Sequence, residues 1–114
     1  MKYLLLIYSE ENPAAWEAMS EAEQQALIGE YRAVSALPNT LGSNQLQPAA
    51  TATTVRVNDG QTLTTDGPFP ETKEVLGGYY LIEATDLDEA ISIAAKIPAA
   101  RTGGGVEVRP IVEM

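Results

Sequence analysis

The chain has no cysteine and no histidine among its 114 residues. Without cysteine there are no disulfides, thiolate metal ligands or thiol nucleophiles. Without histidine the commonest general base and the commonest metal ligand are missing, and every Ser-His or Cys-His mechanism is excluded. Proton chemistry falls to Asp, Glu, Tyr, Lys or water. Positive charge is also scarce: seven Lys and Arg face sixteen Asp and Glu, a formal net charge of −9. Nucleic-acid binding depends on basic side chains that neutralise phosphates, so no nucleic-acid partner is expected. An anionic membrane is disfavoured for the same reason. The longest apolar run, Tyr3 to Tyr8, is too short to span a bilayer. It also lacks the basic start and small-residue cleavage site of a secretory signal, so a cytoplasmic location is expected. No cluster has metal-ligand spacing. Asp86, Asp88 and Glu89 are spaced as a helix cap and lack the oxygen-rich pattern of a calcium loop. Neither a metal nor a cofactor is expected.

What is present fits one domain covering residues 1–114. The hydrophobic fraction is 45% and the charged fraction 20%, ordinary for a globular protein. At this size folding removes about two-thirds of the unfolded chain's surface from water, enough for a core without staples. Lys2 to Tyr8, bounded by Ser9-Glu10-Glu11-Asn12-Pro13, reads as a central strand buried on both faces. Pro13 to Met19 forms a short helical turn carrying Trp16, the only tryptophan. Ser20 and Glu23 make a capping box for a helix running to about Ala36, with Leu27, Tyr31 and Val34 as its apolar stripe. Leu41 to Gln47 is a weaker strand. Thr53–Val57 and Gln61–Thr65 flank Asn58-Asp59-Gly60, a hairpin signal.

The strand from Gly77 to Ala84 follows, and then a helix capped by Asp86, with Glu89 closing the box. Leu87, Ala90, Ile91 and Ala94 are its expected buried stripe, and Ile93 and Ile97 broaden the apolar surface beyond it. Val106 to Val112 is the last strand. Strand–helix–strand, an inserted hairpin, then strand–helix–strand matches a ferredoxin-like α+β plan: an antiparallel sheet with two helices on one face. Leu, Ile and Tyr occupy both parities of the two strongest strands, so the second sheet face also needs cover. No third long helix supplies it, and a homodimer is the expected answer.

Six residues stand apart: Thr65-Asp66-Gly67-Pro68-Phe69-Pro70, with two prolines, a glycine, an acid and the only phenylalanine, followed by Glu71-Thr72-Lys73-Glu74. This stretch, together with Met1–Tyr8, Ala52–Val57, Leu76–Tyr80, Asp86–Ala90 and Val106–Pro110, resembles the YCII-related family, in its DGPF-domain branch, from end to end. The resemblance implies a dimeric α+β barrel, two ferredoxin-like sheets facing each other around a cavity. It implies no particular reaction, and points to regulation linked to sigma factors of the extracytoplasmic-function type. Relatives in the wider superfamily carry a His-Asp pair. With no histidine here, only Asp66 matches.

Asp66 is the candidate catalytic residue. Held at a cavity mouth it could act as a general base, with burial raising its pKa. The structural alternative is a turn aspartate whose carboxylate accepts backbone N–H bonds two residues on, and of the two this is the expectation. The candidate ligand-binding residues are Tyr8, Phe69, Tyr79, Tyr80, Glu107 and Arg109. The tyrosines offer hydroxyls, although only one of Tyr79 and Tyr80 can point inward, because neighbours on a strand alternate. Phe69 is expected to anchor its turn in apolar surroundings. Glu107 and Arg109 share one face of the last strand. If Val106 and Val108 meet the helices, the charged pair points into the barrel, either to hold a carboxylate or as a salt bridge. Arg101, beside a run of glycines, is a weak candidate for an anion, and Glu71 with Lys73 reads as a solvated turn. The expected function is a small dimeric ligand-binding or regulatory protein whose cavity takes a small organic molecule. The alternative is a cofactor-free isomerase, hydrolase or monooxygenase-like enzyme with Asp66 as its base.

Overall fold

The strand predicted from the first apolar run lies in the middle of the molecule. In the computed structural model, which describes residues 1–70 and 72–114, β1 (Lys2–Glu10) is flanked by β5 (Glu74–Glu83) and β6 (Gly105–Pro110), and β2 (Thr40–Gln45) closes the far edge. The sheet order β2-β5-β1-β6, antiparallel throughout, is ferredoxin-like. α1 (Pro13–Ala18), α2 (Glu21–Ser35) and α3 (Leu87–Ala94) supply the helical layer. β3 (Thr53–Asn58) and β4 (Gln61–Asp66) pair only with each other, as a separate two-stranded ribbon.

Local chemistry sets the ends of these elements. Ser20 Oγ accepts from Glu23 N at 3.1 Å, and the Glu23 carboxylate accepts from Ser20 N at 3.2 Å, completing the predicted capping box. Those bonds hold the Glu23 carboxyl below its ordinary pKa. Asp86 caps α3 through Glu89 N at 2.9 Å. The Glu89 side chain reaches one residue further back than a capping box requires, accepting from Thr85 N at 3.0 Å. In the hairpin, Asp59 (φ 52°) and Gly60 (φ 76°) both take the left-handed conformation a tight two-residue turn demands.

Side-chain alternation divides the sheet cleanly. Tyr3, Leu5 and Ile7 of β1 point to the helices with Tyr80 and Ile82 of β5, and Val106 and Val108 of β6 join them. Val34 of α2 and Ala90, Ile93, Ala94 and Ile97 of the α3 region complete the core. The stripe of α3 differs from expectation: Leu87 and Ile91 are each 49% exposed, and Ile93 and Ile97 are buried instead. Ala90, Ile93 and Ala94 share one arc of α3, and Ile97, just beyond its end, continues that apolar surface. The two arcs carry side chains of equal bulk, and packing on the sheet leaves Leu87 and Ile91 outside.

Candidate functional site

Among the described residues, no helix packs on the opposite face of the sheet. On it, cross-strand pairing sets out three rows: Leu81, Leu4 and Arg109; Tyr79, Leu6 and Glu107; and Leu76 beside Tyr8. Leu4, Leu6, Tyr8, Leu76, Tyr79 and Leu81 are only half-buried. Four of the candidate ligand residues, Tyr8, Tyr79, Glu107 and Arg109, therefore share one surface. A bulge between Ile7 and Tyr8 inserts Gly77 as an unpaired residue, so Gly78 falls opposite Ile7 and Leu76 opposite Tyr8.

Tyr79 belongs to this open face, and its hydroxyl accepts from Asn44 Nδ2 at 2.9 Å. Asn44 was not singled out in the sequence. Its place directly opposite Tyr79 in the β2–β5 register brings it there, and the irregular β2 pattern hid that pairing. Tyr80 goes to the other side. It is buried against α2, and its hydroxyl donates to the Tyr31 carbonyl at 2.8 Å. Burial raises the pKa of Tyr80, against a smaller lowering by a Ser35 hydrogen bond. Burial also raises that of Tyr31. Both hydroxyls stay protonated through neutral pH.

Arg109 and Glu107 form an ion pair at 2.5 Å on the open face, both side chains substantially exposed. An exposed pair of this kind contributes at most about 1 kcal/mol. Its value to the site is geometric: a guanidinium fixed beside an apolar patch. Arg101 is occupied elsewhere, in an ion pair with Glu30.

Asp66 and Phe69 lie apart from that cluster. Asp66 ends β4 opposite Thr53, exposed to solvent, and its carboxylate makes no hydrogen bond among the described residues. The turn is held through Gly67 instead: Gly67 N donates to Ala52 O at 2.7 Å, and Thr54 Oγ1 donates to Gly67 O at 2.8 Å. The residue two on from Asp66 is Pro68, which has no N–H to give its carboxylate. Gly67, at φ 102°, adopts a shape closed to other residues. Phe69 is 68% exposed, its ring under the Arg56 guanidinium at 4.5 Å, within cation–π range. Among the described residues, the expected apolar surroundings are not formed around it. Lys73 is exposed, while Glu71 lies outside the described residues.

The open face thus brings together apolar area, phenol hydroxyls, an amide and the Glu107–Arg109 ion pair. Among the described residues no group of three His, Cys, Asp or Glu side chains could hold a metal ion. No helix among them is long and apolar enough to cross a membrane. An uncharacterized protein of Rhizobium meliloti (strain 1021) is 37% identical over 117 residues, covering 97% of this chain and 92% of the relative. The model of the YCII-related domain matches residues 1–114, and the chain belongs to that family.

Proposed function

We propose that two copies of this chain pair through their open sheet faces and enclose a cavity that binds a small organic molecule. The observation that carries the proposal is the surface left uncovered by one chain. Its accessible area is 8009 Å², where a compact monomer of 12.2 kDa is expected to expose about 6,100 Å². The excess, about 1,900 Å², is what each partner contributes to an extensive homodimer interface. The radius of gyration is 16.1 Å, against about 13 Å for a compact domain of this length. The apolar area exposed by one chain includes the half-buried open face and, on the ribbon, Val55, Val57, Leu63 and Phe69. The apolar centre of the open face, with Lys2, Glu83 and Arg109 at one end and Glu10 and Glu74 at the other, matches the dry-core, polar-rim anatomy of interfaces.

Within such a dimer Tyr79, Tyr8 and Arg109 from both copies would face a shared space. That composition favours a ligand with an apolar body and a carboxylate or hydroxyl group. Thermal-shift screening against small organic acids and phenols tests it. A ligand at a hundred times its Kd adds about 2.7 kcal/mol to the native state. Hits whose stabilisation is lost in Tyr79→Phe or Arg109→Gln, with the dimer intact, support the proposal. A library without hits, or hits indifferent to both substitutions, contradicts it.

A further inference from the structure

A recess lies on the helical side of the sheet and reaches the β2 edge, where Asn44 and Tyr79 also line it. It has a volume of about 700 Å³ and sits between α1, the part of α2 from Leu27 to Ser35, and the β2 edge with the chain that follows it. Its origin is a shortage of side-chain bulk. α2 meets the core through the buried Val34, while Leu27, Ile28 and Tyr31 remain half-buried. Across from them, the helix-facing positions of β2 and β5 are Ser43, opposite Tyr80, and Gln45, opposite Gly78. A serine and a glycine fill little of the gap that large apolar residues would close.

The walls have a definite chemistry. Trp16, Tyr31 and Tyr80 line it together with Tyr79 at the edge, and the one carboxylate in the lining, Glu11, is engaged by the Ala49 N–H at 2.8 Å. Tyr80 is fixed by its bond to the Tyr31 carbonyl at 2.8 Å, and Ser35 and Ser43 are joined hydroxyl to hydroxyl at 3.1 Å. Arg32, one turn beyond Ile28 on α2, lines the same space, and among the described residues it has no ion-pair partner. In a chain with sixteen acids and seven bases, an arginine left without a carboxylate is an available receptor for an outside one.

We propose that this recess is a binding site for a planar aromatic carboxylate, its ring held among Trp16, Tyr31 and Tyr80 and its carboxylate on Arg32. The volume lies in the range of small-molecule sites, and the aromatic walls with one cationic group give the ligand both its driving force and its orientation. Every residue the recess uses comes from one chain, and of the open-face residues only Asn44 and Tyr79 border it.

Because Trp16 is the only tryptophan, the ¹⁵N-labelled protein has a single indole N–H resonance that reports on this recess alone. Titration with 2-naphthylacetate is expected to move that resonance saturably with a Kd below about 1 mM. The neutral 2-naphthylacetamide is expected to bind at least about tenfold more weakly, since it cannot make the charge-assisted pair with Arg32. Arg32→Gln, at an exposed helix position that leaves the fold intact, is expected to erase the difference between acid and amide. Ser43→Leu, which fills the recess, is expected to abolish the shift with either compound at an unchanged circular dichroism spectrum. An unmoved indole resonance at about 5 mM probe, the weak end of specific binding, equal affinity for acid and amide, or a preference that survives Arg32→Gln would each overturn the proposal.

Discussion

Replacing Leu6 with glutamate places a charge at the centre of the open face, in the row between Tyr79 and Glu107. In a lone chain this costs little: the position is half-buried with no helix above it, and a like-charge neighbour across strands costs about 1 kcal/mol or less. In a dimer paired through this face the same change removes a leucine contact of about 1.5–3 kcal/mol from each of two symmetric copies. It also buries two carboxylates with Glu107 as their neighbour, so the leucine loss is a lower bound. The sum, about 3–6 kcal/mol per dimer, weakens association roughly a hundred- to ten-thousandfold. Sedimentation equilibrium on wild type and L6E, with circular dichroism to show that both are folded, measures it. Equal dissociation constants for the two proteins would refute pairing through this face. So would a folded wild type that is monomeric throughout.

Three further outcomes follow from the geometry. Tyr80→Phe removes the bond to the Tyr31 carbonyl and is expected to lower stability by about 1 kcal/mol in urea denaturation, since the carbonyl keeps its helical partner. Tyr31 and Tyr80 have pKa values raised in the folded state, so the unfolded chain loses those protons first. Stability is therefore full below about pH 10 and falls as pH rises through the raised folded values; Tyr80→Phe should shallow that alkaline decline, which melting between about pH 9 and 11.5, around the ordinary tyrosine pKa, would show. Gly104→Ala places a Cβ 2.3 Å from the Tyr8 carbonyl oxygen, a backbone clash expected to cost about 1–3 kcal/mol or more by the same denaturation measurement.

How much of this was legible depended on whether a signal was local. Ser20 with Glu23, and Asp59 with Gly60, act within a few residues of themselves, so the cap and the hairpin turn were readable and occur where expected. The ferredoxin-like plan followed from the order of elements, strands followed by single helices twice over. The buried arc of α3 was not readable, because apolar residues surround that helix and periodicity alone supports two stripes. The sheet above it makes the choice. Tyr79 and Tyr80 posed the same difficulty on β5: alternation separates them, but only the register with Leu5 and Leu6, fixed beside the Gly77 bulge, assigns their sides. Arg32 and Trp16 were passed over because the recess they line is created by small residues at Ser43 and Gly78, distant in sequence. Phe69 needed knowledge of what the ribbon meets, which no local pattern contains.

The central claim is that the bare sheet face is covered by a second copy of the chain, and the molar mass in solution tests it most directly. Sedimentation equilibrium of the wild-type protein at micromolar concentration should return twice the 12.2 kDa of the chain. A single species at 12.2 kDa, folded and stable with its apolar face in water, would contradict the account.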